Sequence, residues 1–422
     1  MADRTRLSLA LGEQALPLGQ LVHVEDGDRV FSQFTYDLAW LRHPKAFAVS
    51  PELDLLQGAF IHKPRCAQDP SVFFALADTL PGTWARQIIQ YARSGSPSAG
   101  ADDRSLNDIE LLCTVNETCR MGALRVLNGS LPWWHHPIQV PPATLDDLPQ
   151  AIGATWAVEI GKIMKSDLPF LMAHGVSLGG SRPKVSVRDT NGHLCVAKLP
   201  RRSEKASVPL AEVLAMKLAS RAGIDTAHAE VWGKESDTPV ALIRRFDRGE
   251  NGQRKPYVSA ATLLQASWKE SLSYLDLLRA MRRYCSDYAD DARQLWRRLV
   301  FNLLITNVDD HLQNLGFVYA GQQRWRLAPA FDLNPFPHRD RVSRTPLNVK
   351  AGRIRSVQML LDHAGTFEHT PESARQVLKQ VVVALSAWRD VASSREIGMP
   401  KAQQAHLAPA FEHEQTIEAK RD

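Results

Sequence analysis

The sequence has 422 residues, of which 44% are hydrophobic and 23% charged, and its 51 basic and 46 acidic residues give a formal net charge of +5. This composition is typical of a globular chain of two or three domains, and it excludes a disordered polymer, a fibrous repeat and a disulfide-stapled miniprotein. The cysteines show no Cys-x-x-Cys spacing, and no apolar stretch is long enough to span a membrane, so we expect a cytoplasmic protein with reduced thiols.

The first third of the chain is predicted to be mixed and compact. Residues 21–34 (LVHVEDGDRVFSQF) contain strand-like runs on either side of a turn at Gly27. Asp78 or Thr79 is a candidate cap for a short helix that follows. The small and polar residues 95–105 predict an exposed loop, and the proline-rich residues 128–149 predict a linker.

A hairpin and a helix follow the linker. Two alternating runs, 185–188 and 193–199, flank the turn sequence Asp189–Gly192, which is a strong hairpin signal. Residues 209–223 follow helical spacing and end at a glycine. Further strands are predicted at 229–233 and 239–246.

Beyond Pro256 the chain is predicted to be helical. Ser273 and Asp276 have the spacing of a capping box. An apolar stripe on the next helix is formed by Leu295, Leu299, Val300, Leu303 and Leu304. Another helix is predicted within residues 377–391, and we expect the last twenty or so residues to be polar and frayed.

The segment Asn307–Asn314 (NVDDHLQN) carries the most chemical information. Asp309 and Asn314 have the spacing of the catalytic loop of protein kinases, in which the aspartate deprotonates the attacking hydroxyl and the asparagine holds magnesium. Asp310 is the rival for the base, but its spacing to Asn314 is one residue short. His311 either positions phosphates or satisfies a buried hydrogen bond. Polar clusters of this kind also cap helices and solvate turns.

A second acidic residue follows a predicted hairpin. Residues 316–328 (GFVYAGQQRWRLA) predict a hairpin that turns at Gly321, and the pair Phe331–Asp332 comes next. Because the hairpin reverses the chain, we expect Asp332 to lie near Asn314 and to act as a second magnesium ligand.

A glycine-containing loop and a strand lysine lie upstream. The loop SLGGSRPK spans residues 177–184, and its adjacent glycines allow backbone N–H groups to approach phosphate oxygens. Lys198 shares a strand face with Leu194 and Val196, which favours a position facing a nucleotide, although an edge-strand lysine would show the same pattern. Glu212, on the following helix, is placed to brace that lysine.

Taken together, these segments resemble the HipA family of serine/threonine kinase toxins. The signatures are SLGGSRPK, VAKLP, RRFDR, NVDDHLQN and LAPAFDLNP, with FTYDLAWLRHP, LADTLPGTWAR and RMGALRV in the front third. The resemblance implies an α+β, two-lobed protein-kinase-like fold of the HipA and phosphatidylinositol 3/4-kinase type with an N-terminal mixed α/β subdomain. The corresponding division is an N-terminal subdomain at 1–127, a kinase N-lobe at 150–255, a helical C-lobe at 256–400 and a tail at 401–422.

The resemblance also implies a role for each site residue. Asp309 would be the catalytic base, and Asn314 and Asp332 would ligate magnesium. Ser177 falls where some family members autophosphorylate. The residues implied to contact ATP are Gly179, Gly180, Ser181, Arg182, Pro183, Lys184, Lys198, Arg245, Phe246 and His311, with Arg245 and Phe246 in the hinge that reads adenine.

The function implied is a Mg-ATP-dependent serine/threonine kinase that acts as the toxin of a toxin–antitoxin pair. Its partners would be a HipB-like helix-turn-helix antitoxin, which alone contacts operator DNA, and a translation-related substrate such as an aminoacyl-tRNA synthetase. One alternative is a kinase-shaped regulator that binds the antitoxin as a co-repressor. The other is a small-molecule kinase of the aminoglycoside type, which is less favoured because His311 follows the aspartate in this sequence instead of preceding it.

Overall fold

The computed structural model describes residues 3–27, 29–94, 106–129, 140–204, 206–337 and 340–421. The predicted loop at 95–105 and residues 130–139 of the predicted linker lie outside the described residues. The chain forms two compact units, the first made of residues 1–202 and 247–270 and the second of residues 203–246 and 271–422. The division into four segments made from the sequence stays a prediction.

Up to residue 202 the elements are β1 (Asp3–Leu11), β2 (Leu16–Asp26), β3 (Arg29–Tyr36), α1 (Leu38–Leu41), β4 (Ala59–His62), α2 (Phe74–Ala77), α3 (Thr83–Ser94), α4 (Asp108–Thr114), β5 (Leu124–Gly129), α5 (Leu148–Glu159), α6 (Leu168–His174), β6 (Lys184–Arg188) and β7 (Leu194–Lys198). The segment 203–270 adds α7 (Val208–Arg221), β8 (Ala229–Trp232), β9 (Val240–Arg244), β10 (Tyr257–Ser259) and α8 (Ala260–Leu264).

The remaining elements are α9 (Tyr274–Tyr284), α10 (Tyr288–Leu304), β11 (Gly316–Gly321), β12 (Arg324–Leu327), β13 (Pro346–Asn348), β14 (Gly352–Arg353), α11 (Val357–Asp362), α12 (Pro371–Ser386), α13 (Trp388–Ser393), α14 (Lys401–Leu407) and α15 (Glu414–Ala419). Among the described residues, no helix combines the length and the apolar character that a membrane crossing needs.

The first five strands of the first unit form one antiparallel sheet. Its strand order is β4-β3-β2-β1-β5. The turn between β2 and β3 lies at Gly27, whose φ of +58° is readily adopted by glycine, and the predicted turn is confirmed there. Alternate side chains of β3, including Phe34 and Tyr36, are buried, so one face of the sheet packs on the core.

Helices α3 to α6 share a second apolar core within the first unit. Its buried members are Trp84, Ala85, Ile88, Ile89, Leu111, Ala154, Val158, Leu171 and Val176. Asp78 does not cap the predicted short helix, because its carboxylate is buried and accepts a hydrogen bond from the Ser259 N–H at 2.7 Å. Burial raises the pKa of Asp78 to about 6.

The predicted hairpin at residues 185–199 is confirmed as β6 and β7. The two strands pair antiparallel from Lys184 opposite Lys198 to Arg188 opposite Leu194. The turn is closed by the Gly192 N–H, which donates to the Asp189 carbonyl at 3.0 Å, and Gly192 has a φ of +83°. The hairpin therefore begins directly after the glycine loop.

The helices of the second unit follow the predicted signals. Ser273 and Asp276 form the expected capping box at the start of α9. Helix α7 begins at the N-cap Ser207, whose hydroxyl accepts from the Leu210 N–H at 3.3 Å. The apolar stripe predicted for α10 is confirmed as buried at Leu295, Leu299, Val300, Leu303 and Leu304.

Two predictions for the second unit are wrong in detail. Strands β11 and β12 form the expected hairpin, but it turns at Gln322 and Gln323 instead of at Gly321. Both glutamines have a positive φ, as in a type I′ turn, and Gly321 closes the strand. The last residues are not frayed, because α14 and α15 are formed there and Phe411 between them is 2% exposed.

Candidate active site

The glycine loop leads from the end of α6 into strand β6. Gly179, Gly180 and Ser181 are exposed, while Pro183 and Lys184 are buried. Arg182, between them, is partly exposed. Gly180 has a φ of +89°, a conformation that side chains with a Cβ rarely adopt. The loop thus exposes backbone at its tip and is fixed at its base.

The N-terminal end of α3 holds this loop through backbone contacts. The Gly82 N–H donates to the Leu178 carbonyl at 3.2 Å, and the Trp84 N–H donates to the Gly180 carbonyl at 3.3 Å. A Cβ at Gly82 would lie 2.3 Å from the Gly180 nitrogen and 2.6 Å from the Gly179 carbonyl carbon. Only glycine at position 82 therefore allows the two backbones to approach this closely.

Two lysines lie side by side at the start of the hairpin. Lys184 is the cross-strand partner of Lys198, so both side chains project from the same face, and each residue is 8% exposed. The Lys184 ammonium donates to the Gly179 carbonyl at 2.6 Å. Two neighbouring positive charges next to a glycine loop favour an anionic ligand such as a phosphate group.

Ser177 is the first residue of the loop and is 2% exposed. Its Oγ has no hydrogen-bond partner among the described residues. Since the hydroxyl is buried beside the apolar core, phosphorylation of Ser177 requires residues 177–180 to leave this position first.

The catalytic-loop segment begins directly after α10. Thr306 has a φ of +54°, which is an outlier for a β-branched residue and indicates local backbone strain. Its carbonyl accepts from the Phe336 N–H at 3.2 Å, and its hydroxyl donates to the Ala410 carbonyl at 3.1 Å. The first of these bonds holds the segment that contains Asp332 against the start of the predicted catalytic loop.

The two adjacent aspartates have different environments. The Asp309 side chain is 40% exposed and pairs with Arg344 at 2.9 Å. Asp310 is 5% exposed and accepts hydrogen bonds from the Tyr274 hydroxyl at 2.6 Å and the Arg344 N–H at 2.5 Å. Burial raises the pKa of Asp310 to about 7. Asp309 is therefore the solvent-accessible carboxylate of the two, and Asp310 is held by internal hydrogen bonds.

Asn314 and His311 complete the loop. The Asn314 Nδ2 donates to the Asp309 carbonyl at 2.9 Å, which directs its Oδ1 away from that carbonyl. Burial lowers the pKa of His311, against the opposing effect of the Asp309 and Asp332 carboxylates. The His311 Nδ1 is buried and has no hydrogen-bond partner among the described residues. Both carboxylates are thus close enough to act on one imidazole.

Asp332 follows the β11–β12 hairpin and has a φ of +57°. Its Oδ1 accepts from the Asn334 Nδ2 at 3.0 Å, while the Asn334 Oδ1 is buried without a hydrogen-bond partner among the described residues. Phe331 packs on Phe246 with their ring centroids 5.3 Å apart. This contact joins the predicted hinge to the residue before the predicted metal ligand, and the neighbouring Arg245 is buried.

The donor set fits magnesium better than a protein-only metal centre. No group of three or more His, Cys, Asp or Glu side chains within the described ranges has the arrangement of a metal site. Magnesium is usually held by one or two carboxylates together with substrate phosphates and water. The oxygens of Asn314 and Asp332 match that requirement. Glu212 is buried on α7 and is not the surface glutamate that its residue type alone would suggest.

Comparison with known proteins identifies the family. A model of the HipA-like C-terminal domain matches residues 176–388, just over half of the chain. The chain belongs to the HipA family. This region contains every site residue predicted from the sequence.

A solved structure supports the fold. The chain superposes on HipA of Shewanella oneidensis MR-1, solved as a complex with HipB and operator DNA, with a TM-score of 0.67 at 16% identity over 98% of this chain and 96% of that one. This likeness confirms the predicted kinase-like α+β fold. The Helicobacter pylori proinflammatory kinase CtkA matches 58% of this chain and 90% of its own, with a TM-score of 0.44 and 15% identity.

A curated relative matches a shorter stretch. A Haemophilus influenzae protein named "Putative kinase" is 26% identical over 110 residues, which is 23% of this chain. The match spans about a third, 32%, of the Haemophilus protein.

Two residues of the site were missed by sequence reasoning. Arg344 pairs with Asp309 although it lies 35 positions later in the chain. Gly82 holds the glycine loop from the segment LADTLPGTWAR, which the sequence marks as a family signature with a turn at Leu80–Gly82. The only signal for Arg344 was a run of basic residues after Asp332, and Gly82 carried the signal of a turn.

Proposed function

We propose that the protein is a Mg-ATP-dependent serine/threonine kinase of the HipA type. The observation that carries the proposal is the difference in environment between the adjacent residues Asp309 and Asp310. One carboxylate is open to solvent at the loop, and its neighbour is committed to internal hydrogen bonds. A general base needs a reachable carboxylate, and Asp309 meets that requirement.

The proposed reaction is an in-line transfer of the ATP γ-phosphoryl group. The acceptor oxygen forms a bond to the γ-phosphorus while the bond from that phosphorus to the bridging oxygen of ADP breaks. The hydroxyl proton passes to the Asp309 carboxylate and from there to solvent. Magnesium, when bound by Asn314 and Asp332, would neutralise phosphate charge.

The remaining predicted residues are proposed to bind and orient ATP. Residues 179–184 would supply backbone N–H groups to phosphate oxygens, and Lys198 would add positive charge. The electropositive pair of Lys184 and Lys198 supports this assignment. Arg245 and Phe246 would contact the adenine, and His311 would assist at the phosphates.

We also propose that this kinase is the toxin of a two-component module. The Shewanella structure contains HipA with HipB and operator DNA. By analogy the partner here would be a HipB-like helix-turn-helix antitoxin, and DNA would be contacted through that partner. The substrate would be a translation-related protein such as an aminoacyl-tRNA synthetase, and Ser177 would be the site of autophosphorylation.

The test combines ATP binding with phosphate transfer. The full-length protein is incubated with Mg-ATP labelled at the γ-phosphate and a panel of purified aminoacyl-tRNA synthetases, and labelled residues are identified by mass spectrometry. We expect label on serine or threonine, and a thermal shift with Mg-ATP. A thermal shift without any transfer, to the panel or to the protein itself, would instead favour the co-repressor that binds an antitoxin without catalysis.

A further inference from the structure

A small hairpin follows Asp332 and is held by hydrogen bonds between its two arms. Strand β13 pairs antiparallel with β14, with Pro346 opposite Arg353. The Ser343 N–H donates to the Ile354 carbonyl at 3.1 Å, and the Ser343 Oγ accepts from the Ile354 N–H at 2.8 Å. Leu347 is 2% exposed. The hairpin therefore has a defined buried side.

The exposed side of this hairpin follows from the alternation of buried and exposed residues. Ser343, Thr345 and Leu347 are buried, whereas the residues between them are partly or fully exposed. The same alternation places Arg353 and Arg355 outward on either side of the buried Ile354. Arg353 lies opposite Pro346, on the same face as Arg344. We call the exposed side chains of Arg344, Arg353 and Arg355 the basic face.

This face is strongly positive. Residues 341–355 contain five basic residues and no acidic residue. Arg341 is held by Glu414 at 3.1 Å. Arg353 and Arg355, and Lys350 near the hairpin tip, are exposed and form no ion pair with a described residue. Their charges are thus available to an external partner.

The basic face lies next to Asp309, the proposed catalytic base. The Arg344 side chain contacts Asp309, and the Arg344 N–H contacts the Asp310 carboxylate. The Thr345 hydroxyl donates to the Asp310 carbonyl at 2.7 Å. These bonds fix the hairpin to the catalytic loop, so any chain whose hydroxyl reaches Asp309 passes beside Arg344.

We propose that the basic face selects protein acceptors with acidic residues within about four positions of the phosphorylated serine or threonine. This inference rests on the proposed kinase function and specifies its substrate class. An extended peptide places alternate side chains on one face about 7 Å apart. Arg353 lies opposite Pro346, two residues after Arg344, and Arg355 lies two residues beyond the end of β14, so the three arginines follow the same alternation. Acidic side chains on one face of the peptide can then pair with the arginines of the basic face.

The composition of the hairpin favours a peptide over a nucleic acid. Residues 341–355 contain no Phe, Tyr, Trp or His. Proteins that bind single-stranded nucleic acid usually add aromatic side chains on which bases stack. Arginine pairs with carboxylates and with phosphates in bidentate geometry, so it is the lack of aromatic side chains that favours a peptide. The proximity of this face to Asp309 also assigns it to the chain that carries the acceptor hydroxyl.

The experiment is a charge reversal with a matched control. The test variant is Arg353→Glu/Arg355→Glu in the full-length protein. The control is Arg375→Glu/Lys379→Glu, which changes the same net charge at two exposed positions on α12. Binding of a fluorescent serine peptide flanked by glutamates is measured by anisotropy, beside a peptide of equal length flanked by lysines. Each variant is first checked for an unchanged thermal unfolding midpoint.

We expect the test variant to bind the glutamate peptide about tenfold or more weakly and the lysine peptide more tightly, while the control stays within about twofold of wild type. Equal losses for both peptides, or equal effects of both variants, would overturn the proposal. Tighter wild-type binding of a single-stranded oligonucleotide of the same charge, lost in the test variant, would assign the face to nucleic acid instead.

The binding readout separates this inference from the proposed function. Charge-dependent peptide binding without any phosphate transfer would contradict the kinase function and leave the peptide-binding face in place. Transfer to serine peptides with no preference for flanking acids, in wild type or variant, would support the kinase function and refute the acidic acceptor class.

Discussion

The contact between Gly82 and the glycine loop gives a sharp test of how the loop is positioned. In Gly82→Ala, the added Cβ would lie 2.3 Å from the Gly180 nitrogen and 2.5 Å from its carbonyl oxygen. Both neighbours are backbone atoms, so relief requires the start of α3 or the loop to move. Such a movement would break the hydrogen bonds from the Gly82 and Trp84 N–H groups.

The expected magnitude follows from those two bonds. Each contributes about 0.5–1.5 kcal/mol, so their loss costs about 1–3 kcal/mol of loop positioning. If this free energy is lost from the conformation that binds ATP, the Kd for Mg-ATP rises by about fivefold to 150-fold. The measurement is isothermal titration calorimetry with Mg-ATP on the folded variant.

Gly153→Ala is the matched control for this experiment. Gly153 lies in helix α5, and a Cβ there meets nothing within 4 Å. Alanine in a helix is favoured over glycine by about 1 kcal/mol, so this variant keeps its ATP affinity and gains a little stability. An unchanged Kd in folded Gly82→Ala would refute the argument that α3 positions the loop for ATP.

Three further predictions concern the site residues. Asp332→Ala should weaken magnesium-dependent ATP binding by about tenfold or more, and an unchanged magnesium dependence in titrations would remove Asp332 from the metal shell. Ser177→Ala should abolish self-labelling at the glycine loop without lowering the unfolding midpoint, because the buried Oγ has no described partner; a phosphate mapped elsewhere by mass spectrometry would reject the site. The pKa of Asp310 is about 7 in the folded protein and near 3.8 in the unfolded chain. As the pH rises, the unfolded chain therefore loses this proton at a lower pH than the folded protein does. The free energy of unfolding, measured with urea, should therefore decline as the pH rises from about 4 to about 7 in the wild type, relative to Asp310→Asn. Parallel pH profiles of the two proteins would contradict this.

Local signals in the sequence were sufficient for much of the fold. The hairpin at Lys184–Lys198 and the capping box at Ser273 depend on neighbouring residues, so a single sequence carries them. The turn at Gln322 and Gln323 was missed because glutamine rarely adopts a positive φ and Gly321 is the usual signal. The ordered C-terminal end depends on burial of Phe411, which is a tertiary effect with no local pattern.

In the candidate site, too, contacts between distant parts of the chain could not be predicted from local sequence patterns. Spacing to Asn314 favoured Asp309 over Asp310, and burial of Asp310 supports that choice, but burial cannot be read from two adjacent aspartates. Arg344 reaches Asp309 across a long stretch of chain, so its contact is set by the tertiary position of the hairpin. A spacing pattern predicts site residues that lie close together in the sequence, whereas a contact such as that of Arg344 with Asp309 is set by the fold.

The most direct test of the account is γ-phosphate transfer by Asp309→Asn compared with its affinity for Mg-ATP. Asparagine keeps the size of the side chain and removes the group that accepts the hydroxyl proton. We predict that transfer falls by about 100- to 10,000-fold while the Kd for Mg-ATP changes by less than about twofold. Transfer at the wild-type rate in this variant would contradict the central claim that Asp309 is the catalytic base.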